Sequence, residues 1–389
     1  MSSIPGSVVV RSRWSGWLDR GLAWRDRLLA SPVFQRRAAA FAPTRPIARR
    51  HARELFDLVS GFVYSQVLLA CVQLRVFEIL AEEPQALERL APRLGLTMEA
   101  ARRLLDAAVA LRLLEHRRGA RYGLGELGAP MVGNAAVTAM VLHHAALYAD
   151  LADPVALLRA TPQARSSNAL ARYWAYDAAH APDPAAAERI AAYSALMAAS
   201  QPLVADEILD AYPLHGHRVL LDVGGGDGRF LATAGQRHPS LRLMLFDLPA
   251  VTARAQARFA AAALADRAEV VGGSFLTDPL PCGADIAALV RVIHDHDDAD
   301  AMTVLRAVHA ALPPGGTLLL AEPMAGTPGA QAMGDAYFGF YLLAMGRGRP
   351  RRAEELAAML VAAGFEAVRH VPTRMPLQTR LIVARRPAG

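Results

Sequence analysis

From residue 185 onward, seven short apolar runs alternate with alanine-rich stretches of helical character. The runs lie at 218–223, 241–246, 268–271, 285–292, 316–321, 366–371 and 378–384. Strands that alternate with helices return to their sheet by right-handed crossovers. The product is an α/β domain with a parallel sheet and helices on both faces. Such a sheet is buried on both sides, so it needs an apolar chain. Hydrophobic residues make up 53% of the sequence and charged residues 20%, which supplies that core and excludes a disordered chain.

The first run ends in Leu220-Leu221-Asp222-Val223 and opens into Gly224-Gly225-Gly226-Asp227-Gly228. Glycines there let a ligand approach the backbone closely. Their spacing is Gly-x-Gly-x-Gly, which differs from the Gly-x-Gly-x-x-Gly of dinucleotide binders. Asp247 ends the next strand, where a carboxylate can accept both hydroxyls of a ribose. An N-cap role before Pro249 is the structural alternative, but an acid about twenty residues after the glycines is the expected ribose partner.

Residues 51–184 read as helical. The stretch 53–80 is too apolar for a lone surface helix and predicts a buried dimer element. After it, 86–94 reads as a short helix stopped by Gly95. Thr97 caps a second helix over 98–114, and 116–123 forms a small hairpin. Helix, turn, helix and hairpin make a winged-helix outline. Its second helix presents Glu99, Arg102, Arg103, Asp106 and Arg112, a mixed face without the positive surface that phosphate contacts need. Packing and dimerisation therefore outweigh DNA binding, and no nucleic-acid partner is expected.

The basic residues, all arginine, concentrate at the start. Residues 1–50 hold ten arginines against Asp19 and Asp26, whereas the whole chain balances 42 basic against 36 acidic residues. On a helical wheel Trp14, Trp17, Leu18, Leu22, Trp24, Leu28 and Leu29 share an arc of roughly 160°, with Arg13, Arg20 and Arg27 outside it. Such a helix packs on protein or lies in a membrane interface. Cys71 and Cys282 offer neither a disulfide framework nor zinc spacing, and no metal is expected. The start lacks the pattern of a signal peptide. Residues 62–80 come nearest to a membrane span but are interrupted by Gln66, Gln73, Arg75 and Glu78. The predicted location is cytoplasmic, with peripheral contact at the inner membrane through 14–29. The predicted division is 1–50, 51–184 and 185–389, hinged near 182–184.

Several segments together resemble the class I S-adenosylmethionine-dependent O-methyltransferases of the plant caffeate and hydroxyindole type. They are Asp222 to Gly228, Phe246-Asp247-Leu248-Pro249, Gly273-Ser274-Phe275, Asp278-Pro279-Leu280-Pro281, Arg291-Val292-Ile293-His294-Asp295 and Pro314-Gly315-Gly316. The helical half is similar to that family's dimerisation domain. The resemblance implies a Rossmann-like methyltransferase sheet, S-adenosylmethionine as cofactor and a homodimer. It implies that Gly224 and Asp247 hold the methionine and ribose parts, that Gly273, Ser274 and Phe275 border the adenine, and that Arg291 lies on the cofactor side. Many members have Asp where Ser274 stands. Tyr193 and Met197 resemble a helix that covers the cofactor. His294 takes the place of the proton acceptor and Glu322 that of a carboxylate orienting it. A second family carboxylate falls on Pro350, which leaves Glu322 or Asp295 to orient the base alone. His296 is assigned to packing or pocket lining.

Residues 335–345 are aromatic and aliphatic and suit a lipophilic ligand. The segments 62–71, 290–298 and 322–326 look like the bacterial hydroxyneurosporene (demethylspheroidene) O-methyltransferases of carotenoid biosynthesis. The implied reaction is methylation of the tertiary 1-hydroxyl of an acyclic carotenoid. Two alternatives stay open at this point. One is a methyltransferase for a bacteriochlorophyll precursor or an aromatic polyketide. The other is a winged-helix DNA-binding regulator with a vestigial methyltransferase half.

Overall fold

A computed structural model describes residues 13–174, 201, 204–376 and 379–389. The chain divides into two compact units, Met1–Gly128 and Ala129–Gly389. The cofactor-covering pair Tyr193 and Met197 and the hinge at 182–184 lie outside the described residues.

The first unit begins with helices α1 (Arg13–Ala30), α2 (Pro32–Ala40) and α3 (Arg45–Gln73). Ser31 caps α2 through its hydroxyl, and Pro32 occupies the first helical position. The single helix expected over 53–80 is broken. α3 ends at Gln73 and α4 spans Val76–Glu82, because Arg75 turns left-handed at φ 56°. Neither Gly nor Pro marks that break in the sequence. α5 (Leu87–Arg93) and α6 (Met98–Ala110) follow, with the Thr97 hydroxyl accepting the Ala100 N–H. Gly95 sits at φ +66° between them, as a helix stop requires. Short strands β1 (Gln85–Ala86), β2 (Leu114–Arg117) and β3 (Arg121–Leu124) form an antiparallel sheet in the order β1-β3-β2. The winged-helix outline is therefore realised. Val76, Phe77, Leu90, Ala101 and Leu105 form its core.

The second unit opens with α7 (Ala135–Asp150), α8 (Pro154–Arg159) and α9 (Pro162–Arg165). Seven strands then build one sheet: β4 (Val219–Val223), β5 (Arg242–Asp247), β6 (Ala268–Gly272), β7 (Ile286–Val290), β8 (Thr317–Glu322), β9 (Glu366–Val371) and β10 (Arg380–Arg385). Their order is β6-β5-β4-β7-β8-β10-β9. All seven predicted runs form strands, but the sheet is mixed. β10 is antiparallel to both β8 and β9, because two strands joined by a short return must pair head to tail. Helices α10 (Arg229–Arg237), α11 (Pro249–Ala261), α12 (Asp298–Ala311), α13 (Phe338–Met345) and α14 (Ala353–Ala362) belong to the same unit, as do the helical residues 204–211.

Apolar side chains fill both faces of the sheet. Leu221, Val223, Leu289 and Leu320 join one cluster, and Leu220, Leu245, Ile286 and Leu319 the other. Each such leucine, isoleucine or valine contributes ~1.5–3 kcal/mol on burial. The sheet's order reverses at β4, where β5 and β7 flank it. Ligands in open α/β sheets bind outside the carboxyl ends of the strands at such a switch point.

Candidate active site

The carboxyl end of β4 runs into three glycines at positive φ: Gly224 (72°), Gly226 (61°) and Gly228 (77°). A Cβ on Gly224 would stand 2.9 Å from Val292, and one on Gly228 would stand 2.7 Å from Phe259. A Cβ on Gly226 would meet nothing within 4 Å, so this part of the loop faces open space. Asp247, at the end of β5, accepts the Gly226 N–H at 2.7 Å and the Leu248 N–H at 2.7 Å. Its carboxylate therefore ties the glycine loop and is not the side-chain cap of α11. Burial pushes its pKa up, and the two N–H groups offset part of that rise.

Asp222 lies beneath the same loop. It is buried, and neither carboxylate oxygen has a partner among the described residues. Burial, and then the neighbouring Asp247 charge, push its pKa up to about 8. The loop thus combines an open backbone face with two acceptor groups, one of them orphaned. That arrangement fits a ligand bearing positive charge and ribose hydroxyls. Asp222 opens the glycine motif, but the sequence alone assigns it no role, since a buried acid and a surface acid look alike in one sequence.

The next predicted residues close the same edge. The Gly273 N–H donates to the Asp247 carbonyl at 3.0 Å. The Ser274 N–H donates to Asp278 at 2.8 Å. Phe275 packs edge-on against His296, with centroids 5.2 Å apart. Arg291 leaves β7 at φ 59°, a left-handed conformation that costs a non-glycine residue energy and often marks a functional turn.

His294 follows in a tight turn at Ile293–Asp295 and is buried. Its Nδ1 hydrogen-bonds the Glu322 carboxylate from the end of β8. Its Nε2 lies 3.1 Å from Asp295. The other Glu322 oxygen accepts the Val292 and Ile293 N–H groups at 3.0 and 2.7 Å. The sequence alone leaves either Glu322 or Asp295 to orient the base; the structure brings both to the imidazole, one at each nitrogen. Burial lowers the His294 pKa, but Asp295 and Glu322 outweigh it and the net shift is upward. Burial raises Asp295 to about 6 despite His294. His296 is buried and held down to about 4, chiefly by burial, consistent with a packing group.

Aromatic rings lie beside the imidazole. A wide π-type turn at Ala332–Tyr337 leads into α13. Phe338 meets His294 edge-on at 5.9 Å, and Tyr337 stacks on Tyr341 at 5.8 Å. The tyrosine hydroxyls hydrogen-bond α7: Tyr341 with His143 at 3.0 Å and Tyr337 with His144 at 2.8 Å. These histidines belong to the helical segment and were not singled out from sequence, since their partners lie nearly 200 residues away.

A buried histidine with a carboxylate at each nitrogen can accept and return a proton, and a glycine loop with two acids near it can hold a cationic ligand. Comparison with known proteins agrees. The O-methyltransferase domain profile matches residues 148–366, and the O-methyltransferase dimerisation domain profile matches 56–134. The chain belongs to the O-methyltransferase family.

This methyltransferase is 44% identical to demethylspheroidene O-methyltransferase of Cereibacter sphaeroides over 364 residues, covering 93% of this chain and 94% of the relative. It is 44% identical to the protein of the same name from Rhodobacter capsulatus, covering 87% of this chain and 84% of the relative. Among solved structures, CalO1, a methyltransferase in calicheamicin biosynthesis in its SAH-bound form, superposes with a TM-score of 0.70 at 27% identity. That match covers 87% of this chain and 98% of CalO1. The methyltransferase keeps its winged helix within the dimerisation match, and on that helix Arg103 is paired with Glu99 at 3.1 Å.

Proposed function

We infer that this methyltransferase moves a methyl group from S-adenosylmethionine to the tertiary 1-hydroxyl of an acyclic carotenoid, of the demethylspheroidene or hydroxyneurosporene type. The observation that carries the substrate is the 44% identity to demethylspheroidene O-methyltransferase along nearly the whole chain. The aromatic wall of Tyr337, Phe338 and Tyr341 beside His294 suits a lipophilic polyene.

The cofactor, when bound, supplies a methyl group already activated on a sulfonium. Gly224 and Asp247 hold its methionine and ribose parts. Gly273, Ser274 and Phe275 border the adenine, and Arg291 stands on the cofactor side. The chain's larger task is alignment, since well-oriented reactants gain ~7–11 kcal/mol over a bimolecular encounter.

His294 manages the proton. A tertiary alcohol is too weak an acid to ionise first, so the proton leaves as the new C–O bond forms. Glu322 keeps the Nδ1 proton in place, which leaves Nε2 of the neutral ring to accept from the hydroxyl. Both nitrogens of the resulting imidazolium then face carboxylates, Glu322 and Asp295. A base positioned in this way adds typically 10²–10⁴-fold in rate.

The functional parts are 1–50 as a basic extension, 51–184 for dimerisation and 185–389 for cofactor binding and chemistry. A second copy covers the apolar face of α3, which makes a homodimer. The extension meets the cytoplasmic face of the inner membrane through residues 14–29. Trp17, Leu18, Leu22 and Trp24 are exposed on α1, and ten arginines in 1–50 match an anionic surface.

The test is a transfer assay with methyl-labelled S-adenosylmethionine and detergent-dispersed 1-hydroxy carotenoids, comparing wild type with His294→Ala. Labelled methoxy carotenoid from the wild type, and a loss of about 10³-fold in the variant, are expected. Cofactor binding without any carotenoid product would discard the substrate.

A further inference from the structure

The loop between α13 and α14 passes directly over the turn that carries His294. Gly348, at φ +77°, makes this approach close; a Cβ there would stand 2.3 Å from the His294 carbonyl oxygen. The Gly348 N–H donates to Asp297 at 2.9 Å, and the Arg349 N–H donates to the His294 carbonyl at 3.0 Å. Arg351 then enters the interior. Among the described residues it heads the fully buried side chains by volume, at 1% exposure. Its Nη1 donates to the Ile293 carbonyl at 2.7 Å and its Nη2 to the His296 carbonyl at 2.7 Å. Nε and Nη2 both reach Asp298, at 3.0 and 2.7 Å.

The turn is thus held on two sides. Glu322 takes the N–H groups of Val292 and Ile293, while residues 349–351 take the carbonyls of Ile293, His294 and His296. A planar guanidinium reaches two carbonyls and a carboxylate through donors spread over three nitrogens; an ammonium gathers its three donors at one point on a shorter stem. Pro350, next in line, has no side chain able to orient a histidine, so orientation from this loop comes through the main chain.

We propose that Arg351 is a positioning residue for His294, fixing the backbone of the 293–298 turn so that Nδ1 stays on Glu322 and Nε2 stays beside Asp295, where it would meet the substrate hydroxyl. The proposal rests on the reading of His294 as the base. It assigns to a cation the orienting work that the family resemblance gave to a second acid. Displacing a reacting group by about 1 Å can cost ~10²-fold in rate, so loosening this grip is expressed in turnover more than in binding.

The test uses the full-length protein carrying Arg351→Lys, with Arg351→Met and His294→Ala in parallel. Turnover is normalised to the number of sites that bind S-adenosylmethionine in calorimetry, which removes any misfolded fraction. For Arg351→Lys the proposal expects kcat per competent site to fall ~10–100-fold, with cofactor affinity held within about twofold. It also expects the acid limb of the kcat profile to move to lower pH, because an imidazole slipping from its carboxylates loses the groups that favour its charged form. The groups facing that imidazole are Glu322 and Asp295, with Arg291 and His296 nearby and Arg347 beside Asp295. Asp298→Asn, which removes the carboxylate but leaves both carbonyl bonds, should cost less than tenfold.

Wild-type turnover per competent site in Arg351→Lys would overturn the proposal, as would a loss with an unmoved pH profile, which marks a merely structural role. If Arg351→Met yields no folded protein, the lysine variant still decides. If His294→Ala keeps wild-type turnover, the base assignment itself fails, a result distinct from failure of Arg351 alone.

Discussion

The turn at 293–298 buries His294, Asp295 and His296, whereas α3 leaves Leu55, Phe56, Leu58, Val59 and Phe62 exposed. Each region inverts the ordinary rule of burial. Around His294 the buried charges are answered within one chain: carboxylates at both ring nitrogens and a guanidinium on the turn's carbonyls. Along α3 the exposed apolar side chains find no such answer among the described residues. By length and composition α3 could cross a membrane, yet only 11% of its apolar window is buried. Its C-terminal half falls within the match to the dimerisation domain. The contrast teaches where the protein is complete. The His294 turn draws its carboxylates and its guanidinium from one chain, whereas α3 lies largely within a dimerisation domain and is covered by association.

The sharpest way to break this comparison is to damage the buried side without touching the exposed one. Glu322→Gln retains a carbonyl oxygen for Val292 and Ile293 but turns an amide N–H toward His294. Methyl transfer should fall about 10²-fold while the oligomeric state, read by light scattering, stays unchanged. A variant retaining wild-type turnover would remove Glu322 from the orienting role.

The converse substitution is Phe62→Glu on α3. It should shift the dimer toward monomer by at least tenfold in dissociation constant, since an exposed aromatic of this size contributes ~1.5–3 kcal/mol when covered. Cofactor binding, measured by calorimetry, should persist because the residues proposed for it lie in the other unit. Loss of cofactor binding together with the dimer would show that the two regions are not independent.

Further out, Trp17→Ala combined with Trp24→Ala should weaken flotation with phosphatidylglycerol vesicles about tenfold and leave activity in detergent unchanged. Equal flotation of both proteins would assign the extension to protein contact.

A smaller effect tests the charge balance itself. Because Asp295 and Glu322 outweigh burial and raise the His294 pKa, the neutral ring appears only as pH rises through that raised value, and a base role needs that neutral ring. The same shift gives the fold a stabilising contribution that is full below about 6.5 and lost as pH climbs past the folded-state pKa. Asp295→Asn should move the acid limb of kcat/KM to lower pH, with at most a tenfold change at the plateau. An unmoved limb would remove Asp295 from the balance.

Much of this arrangement was legible beforehand because it is local. The seven strands follow from apolar runs, and the glycine loop, Asp247, His294 and Glu322 sit at strand ends, where sequence order and position on the sheet coincide. What stayed hidden depends on contacts between distant segments. Arg351 acts on backbone carbonyls, which carry no residue signature. The His143–Tyr341 and His144–Tyr337 pairs join helices far apart in the chain. The break at Arg75 uses a residue that rarely adopts left-handed φ, so no glycine announces it. The antiparallel placement of β10 is hidden because its apolar run looks like the others, although only the short stretch 372–379 separates it from β9.

That placement sets an order in time. β10 is the last strand of the sheet to leave the ribosome, yet it lies between β8 and β9 and pairs Arg380 with Glu322, the residue that grips the His294 imidazole. Until residues 380–385 have been synthesised, β8 is an open edge and the carboxylate at its end lacks its backbone neighbour. A nascent chain can assemble its glycine loop early, since β4, β5, β6 and β7 precede it, but the edge of β8 closes only when translation has reached β10.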